Sequence, residues 1–218
     1  MFPFSLFLTI YAGFTHAFET DHLLAVSNIV SQRISTFKSV KDGLFWGLGH
    51  TSTTLLMGVI MLLLKVQVRP AYFHFVEAGV GIMLVLLGLF RLFKLNGFLS
   101  AGVAEIPAAQ MVVINNTGLK KLHLVSYSVG MVHGLAGSGE LVLLVMLQMA
   151  SLQTGMLYLL IFGIGSILGM LVAAAIFSLP FSRKILQSRS LQVTLILLSS
   201  LLCISYGLLI IYKNLFAI

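Results

Sequence analysis

Six long apolar runs, set apart by polar breaks, dominate this chain at residues 4–30, 43–64, 71–94, 122–150, 154–179 and 191–213. About 20 such residues in a helix cover the hydrocarbon core of a bilayer. The alternating segments of about ten residues that mark a membrane barrel are absent. With 59% hydrophobic residues, 9% charged residues and a mean hydropathy of +1.06, no soluble domain of this size is compatible with the chain. The expected fold class is therefore all-α integral membrane, a single domain over 1–218 with six transmembrane helices and a linker at about 95–121. The first and fourth runs are too long for a straight span and carry glycines and polar clusters, so both are expected to be broken or tilted.

The start, MFPFSLFLTI, has no basic residue before its apolar run and no small-residue cleavage site, and reads as a retained helix. The net charge of +7 is first a topology signal, and no nucleic-acid partner is expected. Ten basic residues (Arg33, Lys38, Lys41, Arg91, Lys94, Lys120, Lys121, Arg183, Lys184 and Arg189) follow runs one, three and five. Lys65, Arg69 and Lys213 fall on the other side. This asymmetry places both termini outside and the basic loops in the cytoplasm, as in a bacterial-type inner or plasma membrane.

The two halves match each other in order. Gly13 to His16 aligns with Gly130 to His133 at an offset of 117, Gly47 to His50 with Gly163 to Ser166 at 116, and Gly88 to Lys94 with Gly207 to Lys213 at 119. A unit of three helices crosses the membrane an odd number of times, so its second copy is expected to be inverted, giving a 3+3 repeat of 4–94 and 122–213. Inverted repeats with broken helices meeting near the midplane form a transporter architecture.

Ionisable groups concentrate in the first run. His16, Glu19 and His22 recur every third residue, and on a helix Glu19 lies about midway around the 120° that separates the histidines. Asp21 lies about 140° from His16, so convergence of all four requires local unwinding, which Gly13 is expected to permit. A buried carboxylate costs several kcal/mol unless paired or ligated. Two imidazoles and two carboxylates offer a mixed nitrogen and oxygen set for a divalent cation, and imidazole suits nickel, zinc, copper and iron. The plainer alternatives are an ion-pair network that locks packing and a proton relay. His50 adds an imidazole in run two, beside Thr51, Ser52 and Thr54, which more often serve as interhelical hydrogen-bond glue. His133 and Glu140 lie seven residues apart on nearly one face of run four, among glycines expected to allow unwinding. His74 and Glu77 near an outer end, and His123 beside Lys121, read as interfacial groups.

His16-Ala17-Phe18-Glu19-Thr20-Asp21-His22 fits H-x4-D-H, the hallmark of the nickel/cobalt transporter family, and Gly49-His50-Thr51-Ser52 resembles that family's second motif. Across nearly the whole chain, HAFETDHLLAVS, GLFWGLGH, HGLAGSGE and FGIGSILGM resemble the six-helix branch labelled urease accessory protein, UreH type. The resemblance implies a permease for divalent nickel or cobalt, with His16, Asp21, His22 and His50 at the metal. The metal is then the transported substrate, with no prosthetic group. Ala136 stands where the family's third motif has an aspartate, and GMLVAAA lacks the later aspartate motif. Glu19 also fits the His-x2-Glu pattern of related metal exporters, so export stays beside import. A non-transporting scaffold for urease-type metalloenzyme assembly, with maturation proteins as partners, is the other alternative.

Enzymatic readings fail on missing groups. Ala136-Gly137-Ser138-Gly139 narrowly misses the Gly-x-Ser-Gly of rhomboid-type intramembrane proteases, and run six carries no histidine to activate a serine. Cys203 has no second cysteine for thiol–disulfide exchange.

Overall fold

The first apolar run forms two helices, α1 (Phe2–His16) and α2 (Thr20–Val30), with Ala17, Phe18 and Glu19 non-helical between them. The computed structural model describes residues 2–33, 35–64, 70–100, 118–136, 151–181 and 189–216. Five more helices follow: α3 (Thr36–Leu64), α4 (Pro70–Ser100), α5 (Gly118–Ala136), α6 (Leu152–Ser178) and α7 (Arg189–Leu215). A single 3₁₀ turn, Leu179–Phe181, extends α6. No strand occurs among the described residues.

Among the described residues, four stretches are long and apolar enough to cross a membrane, at 36–61, 73–95, 153–181 and 193–215. Their outer faces are apolar as well. Leu56 and Leu63 on α3, Leu86 and Phe93 on α4, and Leu201 and Leu208 on α7 are all more than half exposed. Water tolerates no such continuous apolar exterior, whereas lipid does, so the chain is an integral membrane protein. Both ends of the expected linker are helical, because α4 runs on to Ser100 and α5 starts at Gly118. The expected break in run four and its residues Ser138 and Glu140 lie outside the described residues.

Close helix contacts depend on glycine, and they come in pairs. Gly13 sits inside regular α1, where a methyl group would collide with the Phe162 carbonyl of α6. Gly130 on α5 meets the Trp46 carbonyl of α3 in the same way, one offset of 117 or 116 away. Gly49 against Tyr127 likewise corresponds to Gly165 against Ile10. Between α4 and α7, the contacts Gly81–Gly207 and Gly88–Ser200 exchange under the offset of 119. Thus α1 docks on α6 as α5 docks on α3, while α3 packs on α6 and α4 on α7. This corrects the role expected of Gly13. The chain unwinds three residues after it, and the glycine instead permits backbone approach. Gly130 and Gly134 are also packing positions, both within regular α5 and both facing α3.

Candidate metal centre

The break between α1 and α2 decides the geometry of the site. Glu19 adopts an extended backbone (φ −63°, ψ 152°) before α2 begins, and this swings the next turn relative to α1. His16 ends α1 and is 5% exposed; His22, in the first turn of α2, is 1% exposed. Asp21, which a continuous helix would direct elsewhere, instead reaches His22 and His133. Its Oδ1 lies 3.1 Å from His22 Nδ1 and its Oδ2 3.6 Å from His133 Nε2. His50 of α3 completes the group, its Nε2 lying 3.2 Å from His16 Nε2. His50 and His133 are fully buried. Four imidazoles and one carboxylate from α1, α2, α3 and α5 therefore meet at one place.

Aromatic walls fix the rings. Trp46, one helical turn before His50, stacks on His22 with a centroid separation of 5.8 Å and an interplanar angle of 13°. Phe162 of α6 lies 5.5 Å from the His16 ring. The His22 ring touches both neighbours, with centroid separations of 4.7 Å to His16 and 4.5 Å to His133.

Proton positions follow from the partners. Carboxylate and carbonyl oxygens only accept, so a ring nitrogen facing one carries the hydrogen. His16 Nδ1 donates to Glu19 Oε1 at 2.7 Å, His22 Nδ1 to Asp21 Oδ1, and His133 Nδ1 to the Val129 carbonyl at 3.1 Å. In each neutral ring Nε2 is left holding the lone pair, directed into the cluster. A second-shell oxygen on one ring nitrogen is the arrangement that orients a metal-binding histidine. Among the described residues, His22 Nε2, His50 Nδ1 and His133 Nε2 have no hydrogen-bond partner. Each buried polar atom left unmade costs about 1–3 kcal/mol. One ligand atom from each of His16, His22 and His50 falls within 4.8 Å of the others, and the same holds for Asp21, His22 and His133. Glu19, a candidate ligand in the sequence, is 55% exposed at its side chain and holds His16 at Nδ1.

The remaining sequence candidates lie apart from this centre. Glu140 lies outside the described residues. His74 Nδ1 pairs with Asn214 Oδ1 at 3.0 Å, joining α4 to α7. His123, read from sequence as merely interfacial, contacts buried Asp42 at 2.6 Å, and Asp42 also receives Arg33 at 2.5 and 2.9 Å. Arg33 had counted only as a loop charge, and Asp42 had not been singled out at all. Nothing in their spacing marks them as partners, since 81 residues separate Asp42 from His123. Trp46 was the detectable omission, because it lies four residues before His50 in GLFWGLGH.

No family model and no solved structure matches the chain. It is 35% identical to "Urease accessory protein UreH" of Bacillus sp. (strain TB-90) over 187 residues, covering 84% of this chain and 81% of that protein. It is also 27% and 26% identical to the chloroplast proteins FOR GROWTH AND FERTILITY 1 and 2 of Arabidopsis thaliana. Those matches cover 73% of this chain and only 45% and 43% of the plant proteins, so the chain spans under half their length. The Bacillus match extends across most of both chains and agrees with the phrases quoted above: the chain belongs to the UreH family of urease accessory proteins.

Proposed function

We propose that the protein is a secondary transporter that moves a divalent transition-metal ion, nickel or cobalt first, by alternating access. The observation that carries this reading is the set of buried imidazole lone pairs without partners at the helix break. A cluster built only to lock packing would leave those atoms at a cost of about 1–3 kcal/mol each. A divalent ion among them offsets that cost. Mixed imidazole and carboxylate donors without thiolate suit nickel, cobalt or zinc over Cu(I). A bound ion must also leave, and an open donor set that no thiolate closes favours release.

The route follows from the paired contacts. Docking of α1 on α6 repeats that of α5 on α3, which supports an inverted 3+3 repeat with His16 and His133 in equivalent positions. Rocking one half against the other exposes the centre first to one face and then to the other. The uneven basic residues support an orientation of that movement with both termini outside and the basic loops in the cytoplasm. A second reading draws on the Bacillus relative's name, which describes a urease accessory protein. In that reading the chain hands metal to enzyme-maturation proteins without transporting it.

Uptake into proteoliposomes separates the two. The wild type is expected to load nickel or cobalt faster than empty vesicles, and His16→Ala with His22→Ala is expected to abolish the excess. No flux above empty vesicles for nickel, cobalt, zinc and manganese alike would rule out transport.

A further inference from the structure

Two donor sets, not one, are present at the centre: His16, His22 and His50 form one, and Asp21, His22 and His133 form the other. We propose that they are alternative stations for a single ion, which passes between them while staying bound to His22. The inference rests on the metal-transport reading and adds to it a path through the site.

Three observations carry it. First, His22 belongs to both sets, and its Nδ1 is committed to Asp21 Oδ1 at 3.1 Å. Only Nε2 remains to bind metal, and one lone pair serves one ion at a time. The sets therefore cannot be filled together. Second, in each set the three donors lie within 4.8 Å of one another, and the pair that flanks His22 has the spacing of two ligands on one ion. Bonds of about 2.0–2.1 Å at tetrahedral angles hold ligand atoms about 3.3 Å apart. The His16–His50 nitrogens are 3.2 Å apart, and His133 Nε2 and Asp21 Oδ2 are 3.6 Å apart. Third, the His22 ring is in direct contact with a ring of each set, 4.7 Å from His16 and 4.5 Å from His133 between centroids.

The stations differ chemically. The first offers three neutral nitrogens and leaves the ion its full charge. The second replaces one nitrogen by a carboxylate, which is harder and carries compensating charge. Moving between them exchanges two ligands and keeps the third, so the ion is never released within the bundle. No bond within the protein is made or broken.

Cobalt(II) serves as the probe, read by its visible absorption and by equilibrium binding to the purified full chain. The wild type is expected to bind one cobalt per chain. His50→Ala and His16→Ala, which spoil the first station, retain one cobalt with an oxygen-containing spectrum. His133→Ala and Asp21→Asn, which spoil the second, retain one cobalt with a nitrogen-rich spectrum. Each single variant stays within about tenfold of wild-type affinity, while His50→Ala combined with His133→Ala weakens binding about a hundredfold or more. Uptake is lost in all of them, because either station alone is a dead end. Two variants per station guard against one that fails to fold. Loss of cobalt binding in both variants of one station, or a wild-type spectrum in all four, overturns the two-station account and leaves transport standing. Two cobalt ions per wild-type chain also overturn it. A wild type that binds no cobalt removes the metal reading and the stations with it.

Discussion

Two clusters of buried ionisable groups occupy the same bundle and are built in opposite ways. One is the histidine centre; the other joins Arg33, Asp42 and His123. Asp42 lies eight residues before His50 on α3, and His123 ten before His133 on α5, so the two are about 12–15 Å apart along the helices. In the second cluster both carboxylate oxygens of Asp42 are taken, Oδ2 by Arg33 Nε and Oδ1 by Arg33 Nη2 and His123 Nδ1. Arg91 nearby donates to the Ser31 carbonyl at 2.9 Å. In the histidine centre three buried ring nitrogens, His22 Nε2, His50 Nδ1 and His133 Nε2, have no hydrogen-bond partner among the described residues. A paired carboxylate ties three helix ends together and has little left to offer a ligand. Unpaired nitrogens held at ligand spacing contribute little to packing and are suited to an ion. Burial alone therefore does not mark a functional site, and neither does an unpartnered atom, since Arg33 Nη1 and Arg91 Nε are unpartnered as well; those are cationic donors, whereas the histidine centre gathers lone pairs and a carboxylate close enough to share an ion.

That contrast can be broken by moving stability and metal binding independently. The largest effect is expected at His22, the residue common to both donor sets. His22→Ala should abolish cobalt and nickel binding in equilibrium dialysis, while thermal unfolding in detergent stays close to wild type. Asp42→Ala should do the reverse. Removing one partner of a buried ion pair costs about 3–5 kcal/mol, so its melting temperature should drop sharply, with metal affinity preserved in the folded fraction. Should Asp42→Ala abolish metal binding in well-folded protein, the two regions are not distinct.

Smaller effects sharpen the same contrast. Glu19→Gln, which weakens the hold on His16 Nδ1, should lower metal affinity by no more than the roughly tenfold limit set for His16→Ala, because it acts only through that ring. Acid should act on the first cluster before the second. Protons and metal compete for imidazole lone pairs, so binding falls as pH is lowered through the imidazole range, and should weaken below about pH 6. Binding that shows no fall at all as the pH is lowered to the point of unfolding would argue against imidazole ligands. The smallest effect is expected from His74→Ala, which removes one hydrogen bond to Asn214. It should cost about 1 kcal/mol in an unfolding titration and leave metal binding unchanged.

Much of the site was legible because its residues are costly and clustered. Ionisable groups within an apolar run need a reason, and His16, Asp21 and His22 declared themselves on that ground. His133 emerged from the offset of 117. Less visible was the unwinding point, because no glycine or proline marks Ala17 to Glu19 and the glycine upstream serves packing. Which acid reaches into the cluster and which one stays at its exposed edge also escaped the sequence. Glu19 and Asp21 are two residues apart, and only the backbone turn at Glu19 sends one behind His16 and the other into the centre. The Asp42 cluster was hidden for a different reason. Its members come from three separate helix ends, and sequence spacing carries no record of such contacts.

The central claim is that an ion sits among the histidines and not at the paired cluster. Anomalous scattering from crystals grown with nickel, recorded at the nickel edge, tests this most directly. The account predicts a peak about 2.0–2.2 Å from His22 Nε2, accompanied by either His16 and His50 or Asp21 and His133. A peak confined to Asp42 and His123, or no peak at His22 in nickel-saturated protein, would contradict it.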